Sequence, residues 1–104
     1  MVKYGLKKSQ IDLIMKCISS CIKKKNATKV WIFGSRARGG HKKYSDIDLV
    51  LESGVPIEKR QKSEMISLLE ESDLPFKVDL LLRNEIYEPY RAKIESEMKL
   101  LGEV

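Results

Sequence analysis

Residues 46 and 48 are both aspartate, inside a segment, Asp46-Ile47-Asp48-Leu49-Val50-Leu51, that otherwise reads as a buried strand. A period of two puts Asp46, Asp48 and Val50 on one face and Ile47, Leu49 and Leu51 on the other. Two carboxylates on one wall of a strand repel each other and lose hydration on folding, so the arrangement is costly unless a cation occupies it. Such a conflict between local sequence and stability commonly marks function. Upstream, Val30-Trp31-Ile32-Phe33 is apolar at every position and predicts a strand covered on both faces, ended by Gly34-Ser35. Residues 30–51 therefore read as a strand, a small polar and basic turn, and a second strand carrying two acids.

The turn has chemistry of its own. Gly34 lets the backbone approach a ligand with no Cβ in the way, and Ser35 offers a hydroxyl and an N–H at the start of a short helix, which suits a phosphate. Arg36 and Arg38 are candidates for charge-assisted contacts to it, and Gly39-Gly40 ends the helical turn. Taken alone, Gly-Ser is a common turn. The following His41-Lys42-Lys43-Tyr44 loop is basic with one aromatic. It reads as a solvated surface, and direct nucleic-acid binding is not expected.

The remaining pattern is that of one domain over residues 1–104. Ile11, Ile14, Met15, Ile18 and Ile22 predict a helix over 9–25, with Ser9 as N-cap, Lys23 to Lys25 at its C-terminus and Asn26 closing it. Cys17 and Cys21 lie on that helix; with one histidine in a distant loop they read as reduced packing residues rather than metal ligands. A strand is expected over 29–33. Pro56 is placed near the first turn of a second helix running to Glu71, with Ile57, Met65, Ile66, Leu68 and Leu69 inward. A third strand, 76–82, carries Val78 and Leu80 toward the core and Asp79 the other way. A last helix from about Glu88 carries Tyr90, Ile94, Met98 and Leu101 as its stripe. The expected class is α/β (α+β), a small mixed sheet with helices packed against it in the order α-β-α-β-α-β-α. A net charge of +5 permits an anionic ligand but is equally explained by a lysine-rich surface. No apolar run approaches the roughly 18 residues of a membrane span, and no secretory signal is present, so a cytoplasmic protein is expected.

Three acids on two strands, a Gly-Ser turn and two arginines suit nucleoside triphosphate chemistry. Transfer at an α-phosphate needs a divalent metal to neutralise phosphate oxygens, and Mg²⁺ prefers a few carboxylates, water and phosphate oxygens. Gly34-Ser35, ten intervening residues and Asp46-Ile47-Asp48, with Asp79 in Val78-Asp79-Leu80 as third acid, resemble the signature of the DNA polymerase β nucleotidyltransferase superfamily. The Phe-Gly-Ser-Arg-Ala-Arg-Gly run and the short chain resemble its minimal members, the MntA-like antitoxins of the HEPN/MNT type. The resemblance implies the nucleotidyltransferase fold, ATP as substrate and two Mg²⁺ ions. It also implies a helical HEPN-type RNase toxin as partner, to a tyrosine of which AMP is transferred. It assigns the triphosphate to Gly34 and Ser35, the metals to Asp46 and Asp48, and completion of the catalytic triad and metal set to Asp79. Arg36 and Arg38 are its candidate phosphate contacts.

Larger transferases of the superfamily resemble this chain with further domains that close over the nucleotide. A partner, a second copy or a macromolecular acceptor is therefore expected to supply the missing wall, in a homo- or hetero-oligomer. Two other readings are a non-catalytic nucleotide-binding antitoxin that occludes its partner, and a transferase acting on a small molecule of the aminoglycoside type or on RNA.

Overall fold

The computed structural model describes residues 2–22 and 28–104. A short hairpin, β1 (Val2–Lys3) and β2 (Leu6–Lys7), leads into α1 (Lys8–Ser19). Then follow β3 (Thr28–Phe33), the five-residue helix α2 (Gly34–Arg38), β4 (Ile47–Ser53), α3 (Lys59–Glu71) and β5 (Val78–Leu82). A 3₁₀ turn at Arg83–Glu85, α4 (Glu88–Glu97) and β6 (Lys99–Glu103) complete the chain. The main sheet has the order β5-β4-β3-β6, antiparallel except for the parallel pair β4 and β5.

The two sides of this sheet differ. Val30 and Ile32 of β3, Ile47, Leu49 and Leu51 of β4, and Leu80 and Leu82 of β5 are buried with Ile14 and Ile18 of α1 and Met65 and Leu69 of α3. Alternation sends Phe33, Asp48 and Asp79 to the opposite face. The helices are held over the apolar face by packing and by Gln61 Nε2, which donates to Cys21 O at 3.0 Å. Each fully buried Leu or Ile in that layer contributes about 1.5–3 kcal/mol relative to exposure. Cys17 and Cys21 are free thiols within it, and burial pushes the Cys17 thiol up.

The fold class matches expectation, while several boundaries do not. The N-terminal hairpin adds two strands before the first helix of the expected order, and α1 begins at Lys8, so Ser9 lies in its first turn. The helix entry is closed by Gln10, whose Oε1 accepts the Lys7 N–H at 2.9 Å. The helical span ends at Ser19; the expected cap at Lys23 to Lys25 and Asn26 lies outside the described residues. Pro56 stands in the loop before α3, whose entry Gln61 closes by accepting the Glu58 N–H at 2.8 Å. The largest correction is at the C-terminal end. Met98 closes α4, with ψ at 142°, and the expected helical stripe breaks there. Leu101 belongs instead to β6, which covers the β3 edge that a three-stranded sheet would leave unpaired. Leu68 is exposed rather than inward.

Candidate active site

β3 ends at Phe33 beside Asp48, and the chain turns at once into α2. Gly34 makes that turn at φ +75°, and a Cβ there would overlap Asp48 Oδ2. The glycine is therefore needed twice, for its backbone conformation and for the close approach of a carboxylate. Gly39, at φ +87°, closes the helix, and Ser35 O accepts the N–H groups of Gly39 and Gly40. Ser35 is half-buried at the entry of α2, beside the same acid-bearing end of the sheet.

Asp48 is the second residue of β4 and pairs directly with Asp79, the second residue of the parallel strand β5. Paired residues of neighbouring strands point to one face, so the two carboxyls stand side by side, opposite the helical layer. Asp46 is exposed and precedes the strand, which begins at Ile47 rather than including both acids. The Ile47 N–H, donating to Lys77 O at 2.8 Å, ties this entry to that of β5. The Asp48 carboxyl is pushed up to about 6, first by burial, then by the charges of Asp79 and Asp46 and a hydrogen bond with Asp79, with Arg38 pulling the other way. Lys77 Nζ lies 3.8 Å from Asp79 Oδ1, a loose and largely exposed pair.

The two arginines separate. Residues two apart on a helix point about 200° from each other, so only one of them can face the acids. Arg38 is half-exposed, its Nη1 donating to Glu97 Oε2 at 3.0 Å, and its charge reaches Asp48. Arg36 is 2% exposed and fully engaged inside the protein. Its Nε and Nη2 donate to Ser45 O at 3.1 and 2.8 Å and its Nη1 to Tyr4 O at 3.0 Å, while its guanidinium lies 4.4 Å from the Phe76 ring centroid. A side chain spent in this way is not free to take a phosphate, which corrects the sequence-based expectation for Arg36. The fork was not readable from spacing, because its acceptors are backbone carbonyls.

Among the described residues no three His, Cys, Asp or Glu side chains converge into a ready-made metal cage. The donor set nonetheless fits Mg²⁺, which is commonly held by one or two carboxylates plus substrate phosphates, and the Asp48–Asp79 pair supplies oxygens that repel until a cation separates their charges. A cleft of about 530 Å³ lies elsewhere, where β4 and β5 end, lined by residues including Pro56, Leu82, Arg83 and Arg91. None of the three acids lines it.

The chain matches the family model described as Nucleotidyltransferase domain over residues 14–101 and belongs to that family. Among its relatives, a Methanocaldococcus jannaschii protein named as a protein adenylyltransferase is 36% identical over 92 residues, covering 86% of this chain and 93% of the relative. MntA of Haemophilus influenzae, also named as a protein adenylyltransferase, is 48% identical over 52 residues. That match covers 50% of this chain and 46% of MntA, so it spans less than half the relative's length. A solved complex of a tri-AMPylated Shewanella oneidensis HEPN toxin with an MNT antitoxin superposes with a TM-score of 0.68 at 19% identity, over 95% of this chain and 74% of that one. At that identity the likeness speaks for the fold. Among the described residues no helix is long and apolar enough to cross a membrane.

Proposed function

We propose that this chain transfers AMP from ATP to a hydroxyl, a tyrosine's by preference, of a helical HEPN-type partner toxin, and so acts as its antitoxin. The observation that carries the reading is the side-by-side placement of Asp48 and Asp79 against Gly34, on the sheet face that α1 and α3 leave uncovered. Asp79 is half-exposed there, which suits a macromolecular acceptor that brings its own wall. The names of the relatives supply the transferred group and the class of acceptor.

In this reading the Gly34-Ser35 turn seats the triphosphate, with Arg38 at its exposed side. Asp46 and Asp48 hold divalent metal, Mg²⁺ by donor preference and two ions by resemblance, with Asp79 completing the set. When bound, the metal neutralises charge on the α-phosphate. Asp79 takes the proton of the acceptor hydroxyl as its oxygen bonds to the α-phosphorus; the bond from that phosphorus to the bridging oxygen breaks, and pyrophosphate leaves.

ATP labelled at the α-phosphate, Mg²⁺ and the co-expressed helical partner test this. Label is expected on the partner, and ATP labelled at the γ-phosphate should leave none. Absence of α-label from every co-expressed protein would count against an enzyme. Arg38→Ala is expected to shift the melting temperature by only a few degrees, because an exposed ion pair contributes about 0.2–1 kcal/mol. Its KM for ATP should rise about tenfold through loss of a charge-assisted contact, as read from initial rates.

A further inference from the structure

We infer that Arg36 is a positioning residue of this active site, a buried fork that fixes the phosphate turn relative to the acid-bearing strands. The inference rests on the nucleotidyltransferase reading above.

Four segments meet on this one side chain. Arg36 belongs to α2, one residue after Ser35. Its Nε and Nη2 both donate to Ser45 O, the carbonyl immediately before Asp46. The Phe76 ring under its guanidinium lies three residues before Asp79. Its Nη1 donates to Tyr4 O in the turn of the β1–β2 hairpin. Thus every segment bearing a candidate ligand for nucleotide or metal is tied to one rigid plane.

A buried cation is costly, and here the described ion pairs offer it no contacting carboxylate. Burial lowers its affinity for a proton, and the nearby charge of Asp46 opposes that shift. Two carbonyls and an aromatic face compensate in its place. A lysine would keep the charge but cannot reproduce a planar fork onto Ser45 O while also reaching Tyr4 O. The far side is closed as well: a Cβ on Gly5, at φ +73°, would stand 2.7 Å from Arg36 Nη1 and overlap the His41 ring nitrogen Nε2. The hairpin therefore fits against the guanidinium with no room to spare.

The test uses Arg36→Lys in the labelled-ATP transfer assay, at a temperature where thermal melts show it folded, with ATP affinity measured separately by equilibrium titration. A positioning residue predicts a kcat about 100-fold lower, as expected for a small misplacement of reacting groups, with KM and affinity for ATP within about threefold of the parent. A direct phosphate contact predicts instead that affinity for ATP falls while kcat holds, and a purely structural role predicts that both hold; either result overturns the inference. If Arg36→Lys does not fold, Phe76→Leu removes the aromatic face and leaves the carbonyls. Its kcat should fall about fivefold or more at unchanged KM, and an unchanged kcat overturns the inference. Transfer by the parent protein is the internal control: no label from the parent defeats the enzyme reading itself, whereas label from the parent with undiminished kcat in Arg36→Lys defeats only the role of Arg36.

Discussion

Asp48→Asn is expected to abolish adenylate transfer and, above about pH 6, to raise the melting temperature of the nucleotide-free protein. The two effects share one cause. Asp48 is held partly out of water and near the charges of Asp79 and Asp46, which pushes its carboxyl from 3.8 to about 6. A carboxyl whose folded value is raised keeps its proton better in the folded state. Below 3.8 both states are protonated and nothing is lost; as pH rises toward 6 the unfolded chain ionises first and stability falls, and above 6 the loss is complete. The full shift corresponds to about 3 kcal/mol at 1.36 kcal/mol per unit, and solvent screening leaves about 1–2 kcal/mol. Asparagine cannot ionise and escapes that loss, so its melt should exceed the parent's by several degrees at pH 8 and converge with it at pH 4. Mg²⁺ with ATP should stabilise the parent above pH 6 and leave the variant almost unmoved, by mass action on a site that only the parent retains. Transfer by the variant should fall about 1,000-fold or more, the scale of charge stabilisation a bound metal supplies. Thermal melts across pH, with and without Mg²⁺ and ATP, read the stability half; a variant less stable than the parent at pH 8 would show that the acid cluster is not strained.

Gly34→Ala is the second change with a large expected effect, and it acts from the opposite wall of the site. The added Cβ meets Asp48 Oδ2, and an alanine must also hold φ at +75°. The backbone conformation alone costs an L-residue about 1–2 kcal/mol, and relief of the overlap requires the carboxyl or the turn to move. Displacement of that kind lowers transfer about 100-fold, together with a fall in melting temperature of several degrees. Unlike Asp48→Asn, this variant should lose stability and activity together at every pH. Gly34→Ala and Asp48→Asn touch each other, so the double variant should fall short of additivity in stability, because the neutral amide has less charge to lose from the crowding.

The layout of the site could be read in the chain because its signals are local. A period of two exposes Asp48 and Asp79 as acids facing away from an apolar row, and the strand–glycine–serine turn announces a close backbone approach at Gly34. The register that sets Asp48 opposite Asp79 is a tertiary fact and needed the structure. Asp46 fell outside the strand because pairing with β5 starts only at Ile47. Arg36 and Arg38 looked equivalent in sequence; helix geometry and the backbone carbonyls of Ser45 and Tyr4 separate them. The hairpin was hidden because its turn, Tyr4 at φ +58° and Gly5 at +73°, lacks the Asn-Gly or Asp-Gly pair that marks such turns. β6 was hidden because Met98 and Leu101 lie three apart, a spacing that suits a helix, while the open edge of β3 decides for a strand.

Catalytic silencing and simple occlusion separate most directly in a titration of the partner's RNase activity. The helical partner would be mixed with this chain well below equimolar ratio, with ATP and Mg²⁺, and its RNA cleavage followed over time. Transfer by turnover predicts that cleavage falls to near zero, that the loss persists after the chain is removed, and that Asp48→Asn does not produce it. Inhibition that tracks the molar ratio, needs no ATP and is equally strong with Asp48→Asn would contradict the account.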